Sequence, residues 1–305
     1  MPPQVETIIL SNGYKVPAIG LGTWQGGNDP GEVYEAVQIA IDEGYRHFDC
    51  ASVYGNEAEI GKALQEKITA GVVKREDLYI VTKIWNDEHK EKLVVPACQR
   101  SLKKLGLGYI DLYLVHWPLS YPDDVDYIET WRGMEKCVEL GFTRSIGVSN
   151  FNSQQLTRLL DSATIKPVMN QIEVHINLNQ KKLREFCASK AIAVTGYSPF
   201  GAPGRCTGFQ PPGPDINLQS PVITEIAKKY NKTNAQVALR YSIDIGIIPI
   251  PKSSSPKRLR ENINVFDFKL TPEEIVAIDQ LDCGFRTCNA IEYKECKEYP
   301  FNIEF

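Results

Sequence analysis

Apolar and polar positions along this chain follow two periods, and the two periods take turns. Short runs rich in β-branched and aromatic residues predict strands at Ala18–Gly22, Arg46–Asp49, Leu78–Lys83, Ile110–His116, Ser145–Val148, Val168–Glu173, Ala193–Tyr197 and Ile247–Ile250. Most of these runs are almost continuously apolar, as strands are when protein covers both faces. Between them the apolar spacing shifts to three and four residues. It predicts helices over Gly31–Gly44, Glu57–Ala70, Glu91–Leu105, Tyr127–Leu140, Ser153–Asp161, Asn179–Lys190, Pro221–Tyr230, Asn234–Asp244 and Pro272–Leu281. In the first of these Val33, Ala36, Val37, Ala40 and Ile41 share a face and Gly44 closes the helix. The last opens with a cap, a proline and two acids, Thr271-Pro272-Glu273-Glu274.

Eight strands alternating with helices predict an α/β fold, a (β/α)8 TIM barrel, over an open doubly wound sheet. Composition does not shift along the chain, so residues 1–305 read as one (β/α)8 domain. Ahead of the first barrel strand, Asn12-Gly13 separates Thr7–Leu10 from Tyr14–Val16, a strong hairpin signal. Such an N-terminal β-hairpin could close the bottom of the barrel. Long loops are expected at the C-terminal face, above all the Gly/Pro-rich stretch Pro199–Pro221.

Composition narrows the function classes. The chain is 43% hydrophobic and 24% charged with a net charge of −4, and its charges are mixed in sign. A nucleic-acid partner would need a basic stripe, which is missing. No apolar run is long enough to span a bilayer, so no membrane partner is expected. The opening residues Met1–Glu6 carry neither a charged leader nor an apolar h-region. The cytoplasm is therefore the expected compartment. Eight cysteines, Cys50, Cys98, Cys137, Cys187, Cys206, Cys283, Cys288 and Cys296, lack the two-residue gap of a zinc or redox motif. They read mostly as reduced, buried thiols. Asn231-Lys232-Thr233 is a glycosylation sequon only in a secreted chain.

The chemistry of such a barrel sits where its strands end. The exits here carry Thr23-Trp24, then Asp49 with Tyr54 beyond it, then Lys83 and Trp85, then His116-Trp117. They continue with Ser149-Asn150, Gln171, Tyr197-Ser198 and Lys252-Ser253. Each residue alone has a plainer reading: Asp49 as a turn cap, Lys83 as a surface lysine, His116 as a structural histidine, Tyr54 as a loop aromatic. Their coincidence at consecutive exits is the signal. Tyrosine is a weak acid, with a pKa of about 10. Lys83 beside the phenol is expected to lower that value, Asp49 to hold Lys83 charged, and a neutral His116 to orient a carbonyl oxygen. Tyr54 could then protonate that oxygen as a hydride reaches carbon, which requires a cofactor.

Where the cofactor's phosphates go is less direct. Gly20-Leu21-Gly22 is only half of a dinucleotide fingerprint, so a Rossmann site is rejected. Lys252-Ser253-Ser254-Ser255, with Arg258 leading into a helix, offers two cations, hydroxyls and a helix N-terminus. This set suits a 2′-phosphate and hence NADPH, although a solvated basic helix start has the same composition. The four histidines lack ligand spacing, so no metal is expected.

Taken in order, the motifs are specific. They are Gly20-Leu21-Gly22-Thr23-Trp24, Arg46-His47-Phe48-Asp49, Tyr54-Gly55-Asn56-Glu57, Thr82-Lys83-Ile84-Trp85 and Leu114-Val115-His116-Trp117-Pro118. Gly147-Val148-Ser149-Asn150-Phe151, Asn170-Gln171-Ile172-Glu173, Gly196-Tyr197-Ser198-Pro199, Ile250-Pro251-Lys252-Ser253 and Glu261-Asn262 complete the series. Over essentially its whole length the chain resembles the aldo-keto reductases. The resemblance implies that Asp49, Tyr54, Lys83 and His116 form the catalytic tetrad, with Tyr54 the proton donor. It places Ser149, Asn150 and Gln171 at the nicotinamide carboxamide, Tyr197 against the nicotinamide ring, and Ser198 and Phe200 near the pyrophosphate. Lys252, Ser253 and Arg258 fall at the 2′-phosphate, and Glu261 and Asn262 near adenine. Thr23, Trp24 and Asp49 complete the expected cofactor surface. The expected pocket lining is Trp24, Val53, Tyr54, Trp85, His116, Trp117, Phe285 and Cys288, apolar and aromatic like most small-molecule sites.

Two departures bear on specificity. Some members have an acidic residue that clasps the cofactor from the loop after the seventh strand; here that place is Gly204, which implies faster release of the oxidised cofactor. The segment between His116 and Trp131 is shorter than in aldose-reductase-like members, which implies a more open pocket. The expected function is NADPH-dependent reduction of apolar aldehydes and ketones, including bulky, steroid-like ones, by a monomer. Two rivals stand beside it: an NADPH-binding structural or interaction protein on the same fold, as lens crystallins and channel subunits resemble, and a barrel isomerase or lyase using the same lysine.

Overall fold

The Asn12-Gly13 turn does close a hairpin. In the computed structural model, which describes residues 4–24, 31–201 and 218–305, β1 (Thr7–Ile9) pairs antiparallel with β2 (Lys15–Pro17). The eight strands that follow form one parallel sheet in sequence order: β3 (Leu21–Gly22), β4 (His47–Asp49), β5 (Tyr79–Ile84), β6 (Ile110–Val115), β7 (Thr143–Ser149), β8 (Met169–Glu173), β9 (Ala193–Tyr197) and β10 (Ile247–Pro249). Helices fill the intervals: α1 (Glu32–Asp42), α2 (Glu57–Thr69), α3 (Glu91–Leu105), α4 (Tyr127–Glu139), α5 (Ser153–Ser162), α6 (Lys181–Ser189), α7 (Pro221–Tyr230) and α8 (Asn234–Asp244). After β10 come α9 (Pro256–Ile263) and α10 (Pro272–Asp279).

The sheet closes on itself. The N–H groups of Gly20 and Gly22 donate to the carbonyls of Pro249 and Pro251, at 3.0 and 3.1 Å. Nothing is returned across this seam at those positions, because Pro249 and Pro251 have no N–H to give. This one-sided ladder explains why the first barrel strand is two residues long where the apolar run predicts Ala18–Gly22. Ala18 instead donates to Glu6 at 2.9 Å, at the edge of the hairpin. The other strand and helix boundaries match the periodicity to within two residues, as ends do.

Residues alternate between two environments along each strand. On β5 the odd positions Tyr79 and Val81 face the barrel interior with Leu112, Leu114, Met169 and Ile248. The even positions Ile80 and Ile84 face the helical shell. Leu10 and Val16 of the hairpin complete the interior cluster, so the hairpin seals one end with side chains. Asn12 at its tip donates to the Ser145 hydroxyl at 2.9 Å, which fixes the plug to β7. Each such buried aliphatic side chain contributes about 1.5–3 kcal/mol. With one end sealed and the interior filled, the opposite end, where the strands terminate, is the face left for chemistry.

Helix starts are set locally by caps. Ser220, Ser255 and Thr271 each precede a proline and accept an N–H from the first turn of α7, α9 and α10. Among the described residues no helix is long and apolar enough to cross a membrane.

The seam yields a stability prediction. A Cβ at Gly22 would lie 2.7 Å from the Ile250 carbonyl oxygen, so Gly22→Ala must push the seam apart. We expect a loss of about 1–3 kcal/mol in thermal or chemical unfolding. Gly108→Ala, where a Cβ meets open space, should be neutral or slightly stabilising. Equal midpoints for the two variants would show that the seam tolerates the added carbon.

Candidate active site

At the open end the strand register sets ionisable side chains side by side. Asp49 ends β4, Lys83 is the penultimate residue of β5, and His116 follows β6 directly. Tyr54 arrives from a short 3-10 turn, Ser52–Tyr54, closed by Gly55 at φ 72°, a left-handed conformation suited to glycine. The Ser52 hydroxyl donates to the Lys83 carbonyl at 3.0 Å and fastens this turn to β5. The phenol thus reaches the site from a loop tied to the strand that carries the lysine.

Lys83 is completely buried. Its ammonium donates to Asp49 Oδ1 at 2.5 Å, to the Cys50 carbonyl at 2.9 Å and to the Tyr54 hydroxyl at 3.4 Å. Gln171 Nε2 donates to the other Asp49 oxygen at 2.7 Å. Both carboxylate oxygens and the ammonium are therefore engaged, the condition under which a buried ion pair is tolerable. Burial alone would pull the Lys83 pKa down, but Asp49 and then Tyr54 outweigh it and the group sits above its ordinary value.

Tyr54 corrects one expectation. Burial pushes its phenol up to about 12, and the nearby Lys83 ammonium offsets only part of that rise. The lysine acts in the expected direction, but desolvation is larger and the 3.4 Å contact is long for a hydrogen bond. The phenol consequently holds its proton through neutral pH. His116 behaves as expected of a neutral imidazole: burial, then the Lys83 charge, hold it well below its ordinary pKa. Its ring makes edge contacts with Tyr54 and Trp85, at centroid distances of 5.7 and 5.0 Å.

A second ring of polar residues lies beside this group. Asn150 has a left-handed backbone, φ 63°, and donates its backbone N–H to the Gln171 carbonyl at 2.9 Å. Its side-chain amide donates to the His116 carbonyl at 3.0 Å, and its Oδ1 accepts from the Tyr197 hydroxyl at 2.8 Å. The Ser149 hydroxyl donates to the Gln171 carbonyl at 2.8 Å. Thr23 gives both its N–H and its hydroxyl to the Asp49 carbonyl, at 3.1 and 2.8 Å. Ser198 has a left-handed backbone, φ 49°, and Phe200 packs against the shell beneath α1 and α7.

Further out, Lys252, Ser253 and the first turn of α9 form a cationic corner. Ser255 caps α9 by accepting the Arg258 N–H at 3.5 Å, so Arg258 lies inside the first turn. Arg258 is exposed and has no acidic partner among the described residues. Lys252 is engaged differently: its ammonium lies 2.9 Å from Glu32 Oε1, at the start of α1. Asn262 is buried, and Glu261 is partly exposed and lies 3.8 Å from Lys257.

The expected lining divides into three groups. Trp24 and Val53 are exposed at the mouth, and Trp85 borders His116. Trp117 is nearly buried and packs on Phe301 of the C-terminal segment, at 5.9 Å, within a cluster that includes Leu119, Ala290 and Tyr299. Phe285 and Cys288 are half-buried on the same segment. The short stretch after His116 is thus covered by the chain's own tail, and Tyr121 stacks edge-on against Tyr293. Gly204 and most of the Pro199–Pro221 loop lie outside the described residues, as does Cys206. Of the remaining cysteines, Cys50, Cys98, Cys137 and Cys187 are buried, and none is in a disulfide. Among the described residues no cluster of three or more His, Cys, Asp or Glu side chains is placed to hold a metal ion.

Several partners escape a reading of strand exits: the Cys50 carbonyl, Glu32, and Glu173 at the end of β8. Only Glu173 has a local signal, because it lies two residues beyond Gln171 on the same inward face.

The family model described as the aldo/keto reductase family matches residues 18–282. An aldo-keto reductase of Bombyx mori is 46% identical, over 98% of this chain and 100% of its own length. Estradiol 17 beta-dehydrogenase 5 of Mus musculus is 40% identical over 100% of both chains. Among solved structures, a Bombyx mori aldo-keto reductase in complex with NADP superposes with a TM-score of 0.92 at 46% identity, covering 98% of this chain and 99% of that one. Another aldo-keto reductase, complexed with NADPH, gives 0.93 at 42% identity and covers 98% and 94%.

The ion pair carries its own prediction. Asp49→Asn leaves the Lys83 ammonium buried without a counter-charge and should cost about 3–5 kcal/mol in denaturant unfolding. Adding Lys83→Met should restore much of that loss. A double variant no more stable than Asp49→Asn would show that the pair is not the source of the cost.

Proposed function

The chain belongs to the aldo/keto reductase family, and from that membership we propose that it reduces aldehydes and ketones to alcohols with NADPH, Tyr54 giving the proton. One observation carries the reading: a protonated phenol, a buried ammonium and a neutral imidazole converge at one strand-end site. We read residues 1–305 as one such unit and as a cytoplasmic monomer, in keeping with every reacting group coming from one chain.

The residues fit the cofactor. Arg258 is an exposed cation without an acidic partner among the described residues, beside Lys252 and the α9 N-terminus, where a phosphate is favoured. Tyr197 is steadied by its hydrogen bond to Asn150 and offers a ring face beside the tetrad for nicotinamide. Gln171 spends its side-chain N–H on Asp49 and its backbone carbonyl on Ser149 and Asn150, which leaves its side-chain Oε1 for a carboxamide. Ser198 and Phe200 would border the pyrophosphate, Ser253 the 2′-phosphate, and Glu261 and Asn262 the adenine. When bound, reduced nicotinamide supplies the hydride that no side chain can.

The chain's own groups then handle the oxygen. His116 Nδ1 is buried without a partner among the described residues, which leaves Nε2 as the nitrogen to donate to a substrate carbonyl. Tyr54 donates its O–H to the same oxygen. As negative charge develops there, the phenolic proton transfers and the carbonyl oxygen becomes the alcohol hydroxyl. The phenolate left behind faces the Lys83 ammonium, an attraction that exists only once the proton has moved and therefore assists the transition state. Asp49 keeps the ammonium in place. Trp24, Val53, Trp85, Trp117, Phe285 and Cys288 offer an apolar surround, which suits apolar aldehydes and ketones, bulky and steroid-like ones included.

Consumption of NADPH with a panel of aldehydes and ketones tests the reading. Tight NADPH binding with no turnover on any of them would select a binding protein instead. Tyr54→Phe should lower reduction by about 10²- to 10⁴-fold while NADPH binding, followed by fluorescence, is kept. Retained turnover would remove Tyr54 from its role. Because the phenol must be protonated for reduction and its pKa is raised to about 12, Tyr54 should impose no loss of reduction between about pH 6 and about pH 9. Alcohol oxidation needs the phenolate, so it should rise with pH over the same range.

Glu32 competes with phosphate for Lys252. Glu32→Gln should tighten NADPH about two- to fivefold and leave NADH unchanged. Weaker NADPH binding in that variant would mean that Glu32 instead holds Lys252 ready.

A further inference from the structure

We propose that Glu173 is a positioning residue for the carbonyl pocket: its buried carboxylate clamps Thr287 and Cys288 of the C-terminal segment onto β8 and so sets the pocket wall over the reacting centre. The inference rests on the carbonyl-reductase reading above.

Glu173 is the last residue of β8, completely buried, and pairs in register with Tyr197 of β9. Its Oε1 accepts the Thr287 N–H at 2.7 Å, the Thr287 hydroxyl, and His175 Nε2–H at 3.0 Å. Its Oε2 accepts the Cys288 N–H at 2.9 Å. The histidine's role is fixed by its other nitrogen, since Nδ1 accepts the Asn177 N–H at 3.2 Å. His175 therefore donates from Nε2, and all four groups around the carboxylate are donors. Burial would raise the Glu173 pKa, but the His175 contacts, Thr287 and the charge of Arg286 outweigh it and the group lies below the usual carboxylate range.

A second hook runs parallel to the first. The Asn177 carbonyl accepts the N–H groups of Cys283 and Phe285 at 3.2 and 3.1 Å, and its side-chain amide donates to the Leu281 carbonyl at 2.7 Å. The tail from Leu281 to Cys288 is thus pinned along the residues that follow Gln171. Asn177 bonds are neutral. Glu173 bonds are charge-assisted and correspondingly stronger.

The coupling to the pocket follows from this placement. Cys288 is half-buried on the tail and packs with Trp85 against the cluster of Trp117, Ala290 and Tyr299. Trp85 in turn makes the edge contact with His116 at 5.0 Å. A buried carboxylate without donors is costly, so Glu173 resists any displacement of the tail that takes the Thr287 and Cys288 amides away. An apolar residue at this position could fill the space but could not fix the register of the wall.

Two variants and two readouts test the clamp. Thr287→Val removes the hydroxyl arm and keeps the charge. Glu173→Gln turns an N–H toward N–H donors. In both, the amides of Thr287 and Cys288 should exchange hydrogen about two- to tenfold faster, while those of β8 before Glu173 stay protected. KM for bulky ketones should change several-fold. kcat for the smallest aldehyde and the NADPH affinity should stay within about twofold, a split that general loss of stability would not produce. Should Glu173→Gln fail to fold, Thr287→Val alone carries the test. Unchanged exchange at Thr287 and Cys288, or unchanged KM in an active enzyme, would overturn the clamp. A wild-type protein without turnover on any carbonyl would overturn the reductase reading itself, a distinguishable failure.

Discussion

Lys83 and Asp49 are sealed at the mouth of the barrel, and the rest of the site is arranged around the cost of keeping them there. An ammonium and a carboxylate removed from water each lose several kcal/mol of solvation. The loss is tolerable only because nearly every valence is met: Asp49 by Lys83 and Gln171, Lys83 by Asp49, the Cys50 carbonyl and Tyr54. These contacts join three strands and one loop, so the pair also fixes how the strand ends stand to one another. The proposed reaction would use the same arrangement. The ammonium has little to stabilise while Tyr54 is neutral and much to stabilise once the phenol has lost its proton.

That pair can stay dry only in a closed barrel. Closure depends on a seam where Gly20 and Gly22 donate to Pro249 and Pro251 and receive nothing back. The missing side chain at Gly22 lets the first strand approach the last, and the one-way bonds leave the first strand short. At the far end the hairpin seals the interior with Leu10 and Val16 and is held by Asn12 on Ser145. Apolar packing fills the interior from the sealed end, while the strand exits are left to carry polar groups.

Around the mouth, carboxylates serve three separate ends. Asp49 holds Lys83 at the proposed reacting centre. Glu32 occupies Lys252 at the cationic corner proposed for the cofactor phosphate. Glu173 gathers the tail that covers Trp117 and supplies Cys288. Each acts through a partner from a distant part of the chain, so in the proposed enzyme one barrel end could tune proton transfer, cofactor choice and pocket shape separately.

The chain's periodicities determined a great deal by themselves. Alternation of strand and helix periods gave eight strands in order, Asn12-Gly13 gave the hairpin, and the strand exits gave Asp49, Tyr54, Lys83 and His116 as neighbours. These are consequences of local stereochemistry, because the direction of a side chain follows from its strand position and the exits of a parallel barrel share one face. What no local pattern contains is the balance of terms at a buried group. Lys83 does lower the Tyr54 pKa, yet burial raises it further, and burial is a property of the assembled mouth. The same holds for contacts across the chain: Gln171 on Asp49, Lys252 on Glu32, and Thr287 on Glu173 span 122, 220 and 114 residues. The sequence alone decided which groups would stand at the mouth of the barrel. Only the closed tertiary structure, by excluding water and bringing distant segments into contact, decided how charged each one is and what holds it in place.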